Sequence, residues 1–161
     1  GIQSRHLSEE FPMEDWERVV GVNLTAVFEL CQLAAKQFMS QESKGKIITV
    51  SSMLSFFGGY TVPAYAASKG GVAQLTKALG NEWAGKGICV NSLAPGYMAT
   101  EMNIALLDPN NPRKEAITNR IPAKRWGTAE DMKGPCIFLA SDASDYLSGA
   151  VIPVDGGYLV R

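Results

Sequence analysis

Apolar residues recur at helical spacing from Met13 to about Met39, where Trp16, Val19, Val20, Val27, Leu30, Leu33, Ala34 and Phe38 predict one long helix. Residues 1–12, ahead of it, are short and polar, and Pro12 opens the helix. Gly21, Asn23 and Thr25 interrupt it near its middle. After QESKG the pattern changes to a β-branched run, Lys46–Ser51, which predicts a buried strand with Ser52 at its C-terminal end. Pro63 starts a second helix to about Trp83, with Val72, Leu75, Leu79 and Trp83 along one face. Gly70 and Gly71 inside it cost roughly 1 kcal/mol each relative to alanine, a cost that predicts a close backbone approach. A second strand, Ile88–Ala94, stops at Pro95 and Gly96, and residues 97–127 are irregular with room for short helices. Thr128, with Asp131 after it, reads as the N-cap of a helix to about Ala140, and Ala150–Val154 is a last strand.

Helices alternating with short strands predict an α/β layout with a parallel sheet in a single domain, 1–161. The first strand would be left as an apolar edge, so the pattern reads as the C-terminal part of a Rossmann-like doubly wound sheet whose first βαβ units are absent. The start at Gly1 without a methionine leads to the same expectation of a fragment. A 46% hydrophobic and 19% charged composition fits a globular protein. The net charge of −1, without a Lys/Arg run, gives no case for nucleic acid. No apolar stretch of the roughly eighteen residues a bilayer requires is expected, and no signal peptide, so the expected location is cytoplasmic, with no membrane partner. Cys31, Cys89 and Cys136 read as buried structural thiols in a reducing compartment rather than a disulfide or metal set. With His6 the only histidine, no metal site is expected and Ser-His-Asp catalysis has little to work with.

The chemistry concentrates between Ser52 and Lys69. Tyr65 and Lys69, four apart, share a helix face. A phenol with a pKa near 10 moves protons poorly at neutral pH unless its anion is stabilised, which an ammonium one turn away does. Ser52 lies at a strand's C-terminal end, where open α/β sheets place ligands, and can hold a carbonyl or alcohol in line with the phenol. Side-chain alternation puts Ser51 on the opposite face. Gly80–Gly87 nearly spells a phosphate-binding loop, but it ends a helix and has Gly87 where Ser or Thr belongs.

Ser52, Tyr65-Ala66-Ala67-Ser68-Lys69, Asn91-Ser92-Leu93-Ala94-Pro95-Gly96 and the terminal Val154-Asp155-Gly156-Gly157 together resemble the short-chain dehydrogenase/reductase family, in its order and spacing. The resemblance implies reversible hydride transfer between NAD (or NADP) and a secondary alcohol or ketone. Tyr65 would be the general acid/base, Lys69 would lower its pKa and bind the nicotinamide ribose, and Ser52 would orient the substrate. Asn23 would be the fourth catalytic member, interrupting its helix to hold a proton-relay water. Gly1 would stand at the nicotinamide mouth, and Pro95, Gly96, Met98 and Thr100 would contact the carboxamide, with residues 98–122 as the substrate lid. The family's Gly-rich turn and the residue that separates NAD from NADP do not occur in these 161 residues.

Segments such as GIQSRH, APGYMAT and RIPAKRWGTAEDMKGP are most similar to the family's sugar-acid dehydrogenases, of the deoxygluconate kind. Arg5 and His6, with Arg125 as a second choice, are the candidates to pair with a substrate carboxylate. The alternatives are another reductase of the family, acting on gluconate, a polyol or an oxoacyl thioester, or a truncated module without activity. The family's interfaces imply a homo-tetramer, through the helices at 13–39 and 63–84 and through the carboxyl tail.

Overall fold

The computed structural model describes residues 1–161. Its sheet is parallel throughout, in the order β1 (Gly45–Val50), β2 (Ile88–Pro95), β3 (Val151–Val154). Ile47 pairs with Val90 and Ser92 with Val151, so β2 is central and β1 is the edge the sequence predicts. Ile47 and Thr49 face α3 (Pro63–Trp83), where the Thr49 and Thr76 hydroxyls meet at 2.8 Å. Ile88, Val90, Leu79, Trp83 and Cys31 complete the core on that side. Lys46 points to the other face and reaches Asp145 just beyond α6 (Ala129–Ala140), which packs against all the strands.

The long N-terminal helix is α1 (Met13–Val20), a π turn (Gly21–Thr25) and α2 (Ala26–Ser40). The predicted interruption is therefore a widened turn and not a break, the form often taken at functional sites. The run Met13–Ser40 is long and apolar enough, by length and composition, to cross a bilayer, which corrects the expectation that no such stretch exists. The packing argues for a domain helix: Asn23 is buried within it and bonded to Ile2 and Ser68. Its apolar stripe is only half covered, since Val19, Cys31 and Ala35 are buried while Leu30 is 67% and Leu33 61% exposed.

The second half of the chain follows the sequence closely. Asp131 accepts the Thr128 N–H at 2.7 Å, completing the capping box of α6. The irregular stretch contains α4 (Ile104–Leu107) and α5 (Pro112–Arg120), the latter capped by the Asn111 side chain on the Arg113 N–H. Two readings need correction. A Cβ at Gly70 would meet nothing within 4 Å, and one at Gly71 would meet only the Leu24 side chain; the backbone approach is at Gly80, where a Cβ would lie 2.6 Å from the Gly149 nitrogen. Of the cysteines only Cys31 is buried, while Cys89 is intermediate and Cys136 exposed.

Candidate active site

The site begins where β1 ends. Ser51 continues the strand ladder, its N–H donating to Leu93 O at 2.9 Å and its hydroxyl to the same carbonyl at 3.2 Å, so it is spent on the sheet. Ser52 is extended (φ −163°) and caps the 3₁₀ turn Met53–Ser55, its Oγ accepting the Leu54 N–H at 3.2 Å. That leaves the Ser52 hydroxyl proton uncommitted within the fold, on a cavity wall that Tyr65 shares. Ser55 was not singled out from sequence. Its hydroxyl accepts the Ser52 N–H at 3.3 Å and donates to Lys69 O at 2.6 Å, tying the serine turn to the helix that carries Tyr65.

Ser68, one residue before Lys69, organises the other side. Its hydroxyl donates to Tyr65 O at 2.8 Å and accepts from Asn23 Nδ2 at 3.3 Å. Asn23 also holds Ile2 at two points, accepting its N–H at 2.9 Å and donating to its carbonyl at 2.8 Å. Both amide hydrogens of Asn23 are thereby used, and its side chain offers no free N–H for a relay water. What it does hold is the segment after Gly1. A Cβ at Gly1 would lie 2.8 Å from Asn23 Oδ1 and 3.6 Å from Lys69 Nζ, so glycine keeps the space beside the ammonium open.

Lys69 is buried and donates to Val50 O at 2.8 Å, with Nζ 5.8 Å from the centre of the Tyr65 ring. Burial pushes its pKa below the usual lysine range. Burial likewise pushes the Tyr65 phenol up, and the nearby Ser52 hydroxyl offsets only part of that. The Lys69 ammonium is turned to the Val50 carbonyl, so burial has the larger effect on the phenol in this arrangement.

Ser52 and Tyr65 open onto a cavity of about 440 Å³ whose walls include Arg5, Gly96, Tyr97 and the α5 face. Lys69 opens the other way, with Gly1 and Asn23, onto the end of a groove along the free edge of β1. The acid/base pair therefore stands between two spaces, one on each side of the α3 turn. Of the carboxamide segment, Pro95 ends β2 and Gly96 approaches Asp155 so closely that a Cβ would lie 2.7 Å from its Cα. Met98 is buried, and its carbonyl already accepts the Thr100 N–H at 3.0 Å and Asn103 Nδ2 at 2.9 Å; Thr100 is exposed. Two expected substrate contacts lie elsewhere. His6 Nε2 is 2.9 Å from Asp15 Oδ2 and 3.1 Å from Ser4 Oγ, outside the cavity walls. Arg125 is bidentate on Asp131, at 2.7 and 2.8 Å, and holds its carboxyl well below the usual range.

Fold and site together define a Rossmann-type α/β protein with a Ser-Tyr-Lys centre at the C-terminal ends of its strands. A family profile described as Enoyl-(Acyl carrier protein) reductase matches residues 1–159. The chain belongs to the short-chain dehydrogenase/reductase family. It is 51% identical over all its 161 residues to the 2-dehydro-3-deoxy-D-gluconate 5-dehydrogenase of Bacillus subtilis strain 168, and spans 63% of that relative's length. Among solved structures, a candidate 2-deoxy-D-gluconate 3-dehydrogenase of Agrobacterium tumefaciens with bound NADP is 50% identical (TM-score 0.97), matching the whole chain and 65% of that protein. A gluconate 5-dehydrogenase of Burkholderia cenocepacia in complex with NADP and tartrate is 41% identical (TM-score 0.95), again over the whole chain and 62% of its own length.

Proposed function

We propose that the chain is the catalytic portion of an NAD(P)-dependent dehydrogenase that interconverts a secondary alcohol and a ketone on a sugar acid of the deoxygluconate kind. The observation that carries this reading is the shared wall of Ser52 and Tyr65 on one cavity, with Lys69 behind them and open to the other side. The residues fit a nicotinamide ribose: Gly1 leaves room beside Lys69, whose ammonium retains two N–H groups after its bond to Val50 O. When bound, the nicotinamide supplies or accepts the hydride. Ser52 holds the substrate oxygen by its hydroxyl. Tyr65 takes the alcohol proton in oxidation and returns it to the carbonyl oxygen in reduction. Lys69 favours the phenolate by its charge as that proton leaves. Asn23 and Ser68 keep Gly1 and the Tyr65 turn in register.

Residues 98–122 act as the substrate lid in this reading, since the α5 face forms one wall of the cavity. The 13–40 and 63–83 helices and the carboxyl tail support assembly as a homo-tetramer, and the free thiols suit the reducing cytoplasm. The test is nicotinamide reduction at alkaline pH by the protein carrying this sequence, with D-gluconate, 2-deoxy-D-gluconate, D-glucitol and a 3-hydroxyacyl thioester offered in turn. Turnover of the acids alone is expected. Preference for the polyol or the thioester moves the protein to another branch of the family, and no turnover with any of them removes the dehydrogenase reading.

A further inference from the structure

Three guanidinium groups, those of Arg5, Arg113 and Arg120, border the cavity that holds Ser52 and Tyr65, and no carboxylate does. None of the three is in an ion pair, whereas Arg18 and Arg125 both are. Arg113, Ala116, Ile117 and Arg120 recur at the spacing of one helix face and all border the cavity, so α5 presents a basic stripe to it. A pocket with that charge and no internal counter-ion is suited to an anionic ligand.

The three arginines differ in how they are held. Arg5 is exposed and reaches only Gln3 Oε1, at 3.4 Å. Arg113 stands in the first turn of α5, where the helix dipole disfavours a cation. Arg120 stands in the last turn, where the dipole favours it, and its guanidinium lies 4.3 Å from the centre of the Tyr158 ring. Tyr158 is itself buried, with Tyr97 edge-on at 5.4 Å and Phe57 stacked at 6.0 Å, so the platform under Arg120 is fixed. A guanidinium lying on a ring keeps its in-plane N–H fork free for a carboxylate, and its orientation is set before the ligand arrives.

We propose that Arg120, seated on Tyr158, receives the substrate's carboxylate and sets the preference of this site for an acid over a neutral polyol. The inference rests on the sugar-acid reading above and adds the residue that enforces it. The carboxylate end of the substrate lies under α5, and the carbon that reacts lies toward Ser52 and Tyr65.

The experiment compares wild type, Arg120→Gln and Arg120→Lys in the protein carrying this sequence, with D-gluconate and D-glucitol as probes. Steady-state kinetics is paired with calorimetric titration of D-gluconate in the absence of nicotinamide. Arg120→Gln is expected to raise KM for D-gluconate by about tenfold or more, with kcat nearly unchanged and the response to D-glucitol unaltered. The affinity measured by calorimetry falls by a similar factor, and Arg120→Lys recovers part of both. If Arg120→Gln keeps the wild-type ratio between acid and polyol, the proposal is overturned while the sugar-acid reading stands. A wild type that does not favour the acid overturns that reading first, before any variant is made, and the proposal with it.

Discussion

In the proposed mechanism Lys69 lends its charge to Tyr65, and holding that charge in the interior costs the fold stability. Its ammonium is buried with a single carbonyl partner, and burial depresses its pKa below the ordinary lysine value of 10.5. A lysine whose folded pKa is lowered binds fewer protons in the folded chain than in the unfolded one. Stability therefore rises with pH through the window that ends near 10.5, and the penalty is fully present below the lowered pKa. Replacing Lys69 by methionine keeps the aliphatic stem and removes the buried charge. The variant should melt at or above the wild-type temperature at pH 7, and its advantage should shrink as the pH approaches 10. On the proposed mechanism its dehydrogenase rate should fall by about 10²-fold or more, since the phenol loses the ammonium one helical turn away. A melting temperature several degrees below wild type at pH 7 would show that the Val50 bond outweighs the desolvation cost.

At the scale of elements, glycine separates two helix environments that look alike in sequence. Gly70 and Gly80 both lie inside α3. A Cβ at Gly70 meets open space, so Gly70→Ala should stabilise the fold by about 0.5–1 kcal/mol through the lost freedom of the unfolded chain. A Cβ at Gly80 meets the Gly149 backbone at 2.6 and 2.9 Å, and Gly149 is itself at φ +80°, so neither side yields easily. Gly80→Ala should cost about 1–3 kcal/mol in urea unfolding, opposite in sign to Gly70→Ala. The same contrast explains what sequence could reveal. The limits of the three strands and of the helices at 13–40, 63–83 and 129–140 were legible to within a residue or two, because apolar spacing and β-branched runs report the burial of those elements directly. Ser52, Tyr65 and Lys69 were legible because they share one strand end and one helix turn. The partner of Gly80 sits on the loop before β3, and no local pattern announces it. Ser55 was hidden for a related reason: it looks like a loop serine until the 3₁₀ turn brings it to Lys69 O. Arg113 and Arg120 had a readable signal, their spacing with Ala116 and Ile117 on one face, but it lay within a stretch whose polar residues masked the helix.

Over the whole molecule, apolar surface is distributed unevenly. The core between α2, α3 and the sheet closes around Ile88, Val90 and Leu79, yet the same layer is open along the edge of β1, where Val50 is 52% exposed. Leu30 of α2 lines a groove that runs along that edge from Lys46 to Val50, and Leu33, three residues on, is exposed as well. An unpaired parallel edge next to exposed leucines offers both backbone hydrogen bonds and apolar area to any chain that meets it. These 161 residues by themselves should therefore self-associate, with an elution volume in size-exclusion chromatography that falls as concentration rises. Leu30→Lys with Leu33→Lys should move the protein toward the monomer position. The substitution touches neither the Ser52–Tyr65 cavity nor the Asn23–Ile2 clamp, so circular dichroism should be unchanged. A wild-type chain that stays monomeric at high concentration would mean that the exposed α2 and β1 face does not drive association, and that another segment covers it in solution.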